Sequence, residues 1–169
     1  EDRPSIAFMH ALNDAQKPIT AAVSGLAIGI GTTMLFHCDF IYASEDCFFQ
    51  LPFTRLGVCP EAGSSYLLPQ QIGYLRAAEL MLLGDRFTAI KAKEYGIVNE
   101  VLPQSEYLQF AKSKTEELAA LPPQSVQASK KLMKSGRDRI IPETINDEMK
   151  EFSRLLKTPD AQAIVQSFL

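Results

Sequence analysis

The period of the apolar positions changes along this chain, and the changes mark out its elements. Residues 5–13 repeat at helical spacing and predict a short amphipathic helix, which Lys17-Pro18 stops. Residues 19–23 are short, β-branched and apolar and predict a buried strand. Ser24-Gly25 turns the chain into a glycine-spaced run, GLAIGIGTTMLFHCD. Further strands are expected at 40–43 and 48–50, and residues 51–60 form a loop bracketed by Pro52 and Pro60. Pro60 suits the first turn of a helix, so a helix is predicted from there to about Gln71, followed past Gly73 by another over 75–83. Gly84 has the place of a C-cap. Thr88 caps a helix over 89–95 that Gly96 ends, and a last strand is read at 97–102. Beyond Pro103 the pattern is helical only, at 104–120, 124–136, 142–157 and 160–168. Alternating strand and helix followed by helices alone argues for an α/β core over 1–102 and a helical region over 103–169.

The stripe Ile145, Met149, Phe152, Leu155 and Leu156 can serve ordinary packing or a subunit contact, and periodicity does not separate the two. Composition narrows the partners. With 46% hydrophobic residues, the 169-residue chain can bury a sizeable core, and a net charge of -3 gives no footing for nucleic acid or an anionic membrane. The cluster Lys130, Lys131, Lys134, Arg137 and Arg139 reads as a solvated helix face, with a phosphate site as the alternative. No apolar run reaches the ~20 residues of a membrane span. The opening EDRPSIAF lacks the order of a secretory leader and the closing QSFL is not an SKL-type address. With three cysteines in no ligand spacing, an intracellular setting is expected, cytoplasmic in a bacterium.

Several kinds of chemistry can be weighed against these residues. Gly25, Gly29 and Gly31 lack the third glycine of a dinucleotide fingerprint and the lysine of a P-loop. Their spacing permits exposed N–H groups at a helix start, suited to an oxyanion, or equally a tight strand–helix packing. Ser64 and Ser65 lack a nucleophile elbow, and His10 and His37 lie in apolar helical stretches that favour structural roles. No metal site is expected from this set. Glu61 stands out because no charged residue flanks it between Leu56 and Leu75. At a helix opening it can be a dipole partner, or it can be a general base presented by small and apolar neighbours.

The run KPITAAVSGLAIGIGTTMLFHCDFIYASEDCFFQLPFTRLGVCPEAGSSYLLPQQIG, continued by AAELMLLGDRFTAIKAKEYGIVNEVLP, resembles the enoyl-CoA hydratase/isomerase (crotonase) superfamily. K-P, A-V-x-G-x-A-x-G, C-D, G-x-x-P-x-x-G and G-D-R-F-T-A occur in the family's order, and the set is specific where any one piece is weak. The resemblance implies an α/β spiral of ββα turns, a trailing helical region and a homotrimer or hexamer. It implies an acyl-CoA thioester as substrate, with coenzyme A part of that substrate and no separate cofactor. It implies a thioester enolate held by two backbone N–H groups. The matching position for one donor is Ile30. The other belongs to an earlier A-F-x-A-G type segment, and this chain has neither that motif nor the strands that begin the spiral.

Hydratases of the family use two glutamates, and the matching positions here hold Thr33 and Phe53. Isomerases resembling the peroxisomal Δ3,Δ2-enoyl-CoA type carry a lone base in a P-E-G-like segment, the place of Glu61. The resemblance therefore implies isomerisation by one carboxylate in fatty acid β-oxidation. The expected substrate lining is Ala27, Ile28, Gly29, Gly31, Phe53, Leu56 and Pro60. Hydration by another route and a non-catalytic CoA-binding scaffold are the alternatives.

Overall fold

A computed structural model describes residues 4–167. Glu1–Arg3 and the closing Phe168 and Leu169 lie outside the described residues, and with Phe168 so does the last position of the helix predicted over 160–168. After helix α1 (Pro4–Asp14) come strands β1 (Thr20–Val23) and β2 (Leu26–Ile28), then a short helix α2 (Ile30–Thr33) that tightens into a 3₁₀ turn, Met34–His37. The next unit repeats this order, with β3 (Phe40–Ser44), β4 (Phe48–Gln50), a 3₁₀ turn at Thr54–Leu56 and helix α3 (Ser64–Ile72). Successive strands part into different sheets. β1 and β3 pair in parallel, Thr20 opposite Phe40, while β2 and β4 pair in parallel, Leu26 opposite Phe48. Each ββα unit thus adds one rung to two sheets, with a helical return making the parallel pairing possible. Helix α4 (Tyr74–Leu83) leads to β5 (Phe87–Thr88), antiparallel to β4, and helix α5 (Ala89–Glu94) leads to β6 (Glu100–Leu102), parallel to β3.

Three predicted elements need correction. β2 was hidden in the glycine run, because three residues between two left-handed glycines carry too little periodicity. β5 was missed because two residues carry none. The strand expected over 97–102 is only three residues long. Ile97 and Val98 instead send their amides back to the carbonyl of Ala92, so they end α5 as a turn and bury their side chains.

The helical region is α6 (Tyr107–Ala119), α7 (Pro123–Lys134), α8 (Ile140–Leu155) and α9 (Pro159–Gln166). It packs on the strand-and-helix core: α6 lies on β1 and β3, and α8 on α1 and α3. Ile145 is fully buried, and Met149, Phe152, Leu155 and Leu156 pack against the chain's own core. The stripe on α8 is therefore intramolecular packing. At Gly57 a Cβ would sit 3.0 Å from the Cα of Ala161, so glycine there lets α9 close on the 54–56 turn.

The basic cluster also differs from expectation. Lys130 and Lys134 point inward, 3% and 8% exposed, while Leu132 and Met133 face out. The Lys130 ammonium donates to the Lys17 carbonyl at 2.8 Å and to Asp39 Oδ2 at 2.7 Å, and the same oxygen accepts from the Ile19 amide at 2.7 Å. The K-P and C-D motifs are thus two sides of one clamp that joins the start of β1 to the start of β3. Lys134 donates to the Asn13 carbonyl, tying down the end of α1. Both long stems cross apolar surface to reach oxygens, so the cations are buried with partners.

Candidate active site

Glu61 lies in the loop that joins the 54–56 turn to α3, and it is half-buried. Neither Pro60 nor Glu61 opens the helix as predicted. The chain first passes through two consecutive left-handed residues, Ala62 (φ 61°) and Gly63 (φ 72°), and α3 begins at Ser64. A left-handed alanine is strained by about 1 kcal/mol and persists only where its surroundings hold it. Here they do. The buried His37 ring donates from Nε2 to the Ala62 carbonyl at 2.7 Å. Ser64 donates to the Glu61 carbonyl through its hydroxyl at 2.6 Å and through its amide at 3.2 Å.

The remaining support comes from α8. Ile141, Ile145 and Glu148 fall three or four residues apart on its inner face, and Glu148 is only 7% exposed. Its Oε2 accepts from the Gly63 amide at 2.6 Å, while Oε1 accepts from the Ser65 amide at 2.9 Å and from the Ser65 hydroxyl. The acid at the start of α3 is thus Glu148, and the dipole-partner role considered for Glu61 is taken. Sequence reasoning passed over Glu148. The signal for it was a lone acid in line with the apolar stripe of α8.

Burial raises the Glu61 carboxyl above the ordinary carboxylate value, and the like charge of Glu148 raises it further. Glu148 is also raised by burial, against the pull of its three donors. His37 is lowered, chiefly by burial, so at neutral pH it is an uncharged ring donating to a carbonyl.

The glycine run meets this loop through one continuous helical segment. Ile30 and Gly31 open α2, and the 3₁₀ turn that follows ends at His37, the residue gripping Ala62. The first amides of a helix have no carbonyl of their own helix to bond, which leaves Ile30 N–H and Gly31 N–H pointing out of its start. Thr32 fixes that start, donating its hydroxyl to the Ala27 carbonyl at 2.6 Å. Gly29 has φ 57° and ψ -120°, a backbone only glycine adopts without strain. Nothing lies within 4 Å of a Cβ added at Gly25, Gly29 or Gly31, so these glycines are not there for packing within the chain.

The other expected residues divide by depth. Ile28 and Ile30 are exposed, Gly29, Gly31, Leu56 and Pro60 are half-buried, and Ala27 and Phe53 belong to the core. Thr33 is fully buried. His37, at the end of the segment that Ile30 opens, bonds the carbonyl of Ala62, the residue after Glu61. Ser64 and Ser65 both have structural partners, and His10 lies 3.4 Å from Asn146 of α8. Burial pushes the thiols of Cys38, Cys47 and Cys59 up to about 11, so they remain protonated at neutral pH. Among the described residues no group of three or more His, Cys, Asp and Glu could hold a metal ion, and no helix is long and apolar enough to cross a membrane.

Two sheets built rung by rung, one parallel and one closed by the antiparallel β5, with a shielded carboxylate on a braced loop, define a class of α/β spiral, the crotonase fold. The model of the enoyl-CoA hydratase/isomerase family matches residues 4–169, and the chain belongs to that family. Enoyl-CoA delta isomerase 2 of Rattus norvegicus is 38% identical over 141 residues, which is 83% of this chain and 36% of the rat protein. The 2,3-dehydroadipyl-CoA hydratase of Escherichia coli is 31% identical, covering 100% of this chain and 66% of that protein. An enoyl-CoA hydratase/isomerase from Pseudoalteromonas atlantica T6c superposes with a TM-score of 0.96 at 35% identity, over 99% of this chain and 68% of that one. The chain spans 36% to 66% of the length of these two curated relatives.

Proposed function

We propose that the protein is an enoyl-CoA isomerase that moves a double bond from C3 to C2 of a fatty acyl-CoA thioester, with Glu61 as its single base. The observation that carries this reading is the pairing of one shielded, braced carboxylate with the loss of both hydratase acids. Thr33 and Phe53, at those two positions, are buried and cannot ionise in the working range. The Glu61 carboxylate lifts a proton from C2 of the 3-enoyl thioester, and the electron pair spreads onto the thioester oxygen. The Ile30 N–H is one donor for that oxygen. Return of the same proton at C4 leaves the double bond between C2 and C3, with no water consumed. A carboxyl raised toward neutrality is a stronger base than an ordinary one and still gives the proton back. Ala27, Ile28, Gly29, Gly31, Phe53, Leu56 and Pro60 line the acyl-CoA in this reading. The first 102 residues act as the catalytic core, and the helical region from 103 packs on it. Identity to rat enoyl-CoA delta isomerase 2 supports the isomerase branch.

Hydration is the second reading, favoured by the Escherichia coli relative and by the presence of another carboxylate, Glu148, beside Glu61. Both oxygens of Glu148 already accept protein N–H or O–H groups, which leaves it poorly placed to activate water. Glu61→Gln in the full-length protein separates the readings. Turnover of a 3-enoyl-CoA should fall roughly 10²–10⁴-fold, the usual worth of a positioned base, with acyl-CoA affinity little changed. Near-full isomerase activity in that variant would remove Glu61 from the mechanism. Hydration of 2-enoyl-CoA at a higher rate than isomerisation would move the protein to the hydratase branch, and binding without either reaction would make it a scaffold.

A further inference from the structure

We propose that Glu148 is the positioning residue of the base: by holding Gly63 and Ser65 it fixes the 62–63 turn and so sets the direction and electrical surroundings of the Glu61 carboxylate. The inference rests on the reading of Glu61 as base. Its footing is the geometry of five consecutive residues. The Glu61 carbonyl is held by Ser64, the Ala62 carbonyl by His37, the Gly63 amide by Glu148 Oε2 and the Ser65 amide by Glu148 Oε1. A Cβ at Gly63 would stand 3.0 Å from Ile141, about two turns before Glu148 on α8, so the turn also lies hard against that helix. Of these anchors, only Glu148 brings a charge. A helix start is usually capped by a short Ser, Thr, Asn or Asp at the N-cap itself, whereas the N-cap of α3 is Gly63 and the capping carboxylate comes from α8. A buried carboxylate in that place costs desolvation that a neutral cap avoids, which makes sense where the charge has a second effect.

That second effect falls on Glu61. Glu148 is the charged group that acts on Glu61, raising its proton affinity beyond what burial does. The other titratable groups around the loop leave this effect standing. His37 is neutralised by burial, with Lys134 and Arg137 of the neighbouring segment opposing its charge. The Cys59 thiol, which faces Glu151 and Arg154 as well as Glu148, stays protonated. Glu148 therefore acts through the turn by geometry and through space by charge.

The test compares Glu148→Gln and Glu148→Asp with the parent in the full-length protein, following 3-enoyl-CoA isomerisation across pH together with thermal melting. In Glu148→Gln, kcat should fall roughly tenfold through misaiming of the base, with KM within about twofold. Its acid limb should move to lower pH, because the like charge beside the base is gone. Glu148→Asp, which keeps the charge, should leave the limb near that of the parent. A lower melting temperature with kcat and limb both unchanged would reduce Glu148 to a helix cap and overturn the inference. Should Glu148→Gln not fold, Ser65→Ala removes one donor and leaves both amides. A kcat lowered about two- to fivefold at constant KM then supports the inference, and a parental kcat overturns it. Glu61→Gln measured in parallel keeps the two readings apart. An active Glu61→Gln sinks the base itself, whereas an inactive one beside a parent-like Glu148→Gln sinks only the positioning role.

Discussion

As the proposed base, the Glu61 carboxylate would work only when ionised, and its surroundings favour the protonated form. Burial and the Glu148 charge both push its pKa above the ordinary 4.5, so kcat/KM should fall as pH drops through a limb lying above that value. A pH profile that stays flat down to 4.5 would show that this group does not limit the reaction. The glycines allow a second residue-scale test. Gly29 needs its φ of 57°, so a valine there would strain the backbone whether or not a ligand approaches. Gly31 has ordinary helical backbone and open space on its Cβ side, which makes it the cleaner probe. Gly31→Val should weaken acyl-CoA binding roughly tenfold at an unchanged melting temperature, since the close approach allowed by glycine is lost. Equal affinities in calorimetry would mark the segment as a turn and nothing more. Glu61 stands out in the sequence by its uncharged neighbourhood, and its reading as a base comes from the family resemblance. Glu148, 87 residues further on (148 − 61), does not stand out, since its only local mark was a polar residue in an apolar stripe.

At the scale of elements, length helped without deciding: the three-residue β4 was expected at 48–50, whereas β2 of the same length was hidden among glycines. Helices of ten residues or more came within a few positions of the pattern, as in Tyr74–Leu83 against the expected 75–83 and Ile140–Leu155 against 142–157. Their apolar stripes repeat several times, so one deviant residue does not erase them. β2 and β5 had no such repetition. The helix expected at Pro60 shows a different failure. Proline and glutamate are good first-turn residues, yet α3 waits until Ser64 because Glu148 and His37 hold the preceding turn in a left-handed backbone. The clamp on Asp39 belongs to this scale too. Lys130→Ala would leave a largely buried carboxylate facing only the Ile19 amide, at a cost of about 3 kcal/mol in chemical denaturation. A loss under about 0.5 kcal/mol would mean that water replaces the ammonium there. Ile145→Ala, at a fully buried site between α8 and the core, should cost about 2–4 kcal/mol.

For the whole molecule, the stripe on α8 no longer argues for subunit contacts, because it is spent on the chain's own core. Apolar side chains elsewhere stand in water, among them Leu75 at 82% exposure with Tyr74, Leu82 and Leu83 on the same helix. From the family resemblance we propose that the full-length protein sediments as a homotrimer or a dimer of trimers, and a monomer at micromolar concentration would contradict that.

Taken by itself, the sequence determined the alternation of strands and helices, the helical region after residue 103, and the singular character of Glu61. These are properties of neighbours along the chain, where propensity and periodicity act. Tertiary structure decided which lysines go inside, which strands share a sheet, and which carboxylate sits at the start of α3. Each of those depends on a partner far away in the sequence: Asp39 for Lys130, β3 for β1, and the 62–65 turn for Glu148. A buried charge is tolerable only beside its partner, and folding alone brings the partner within reach.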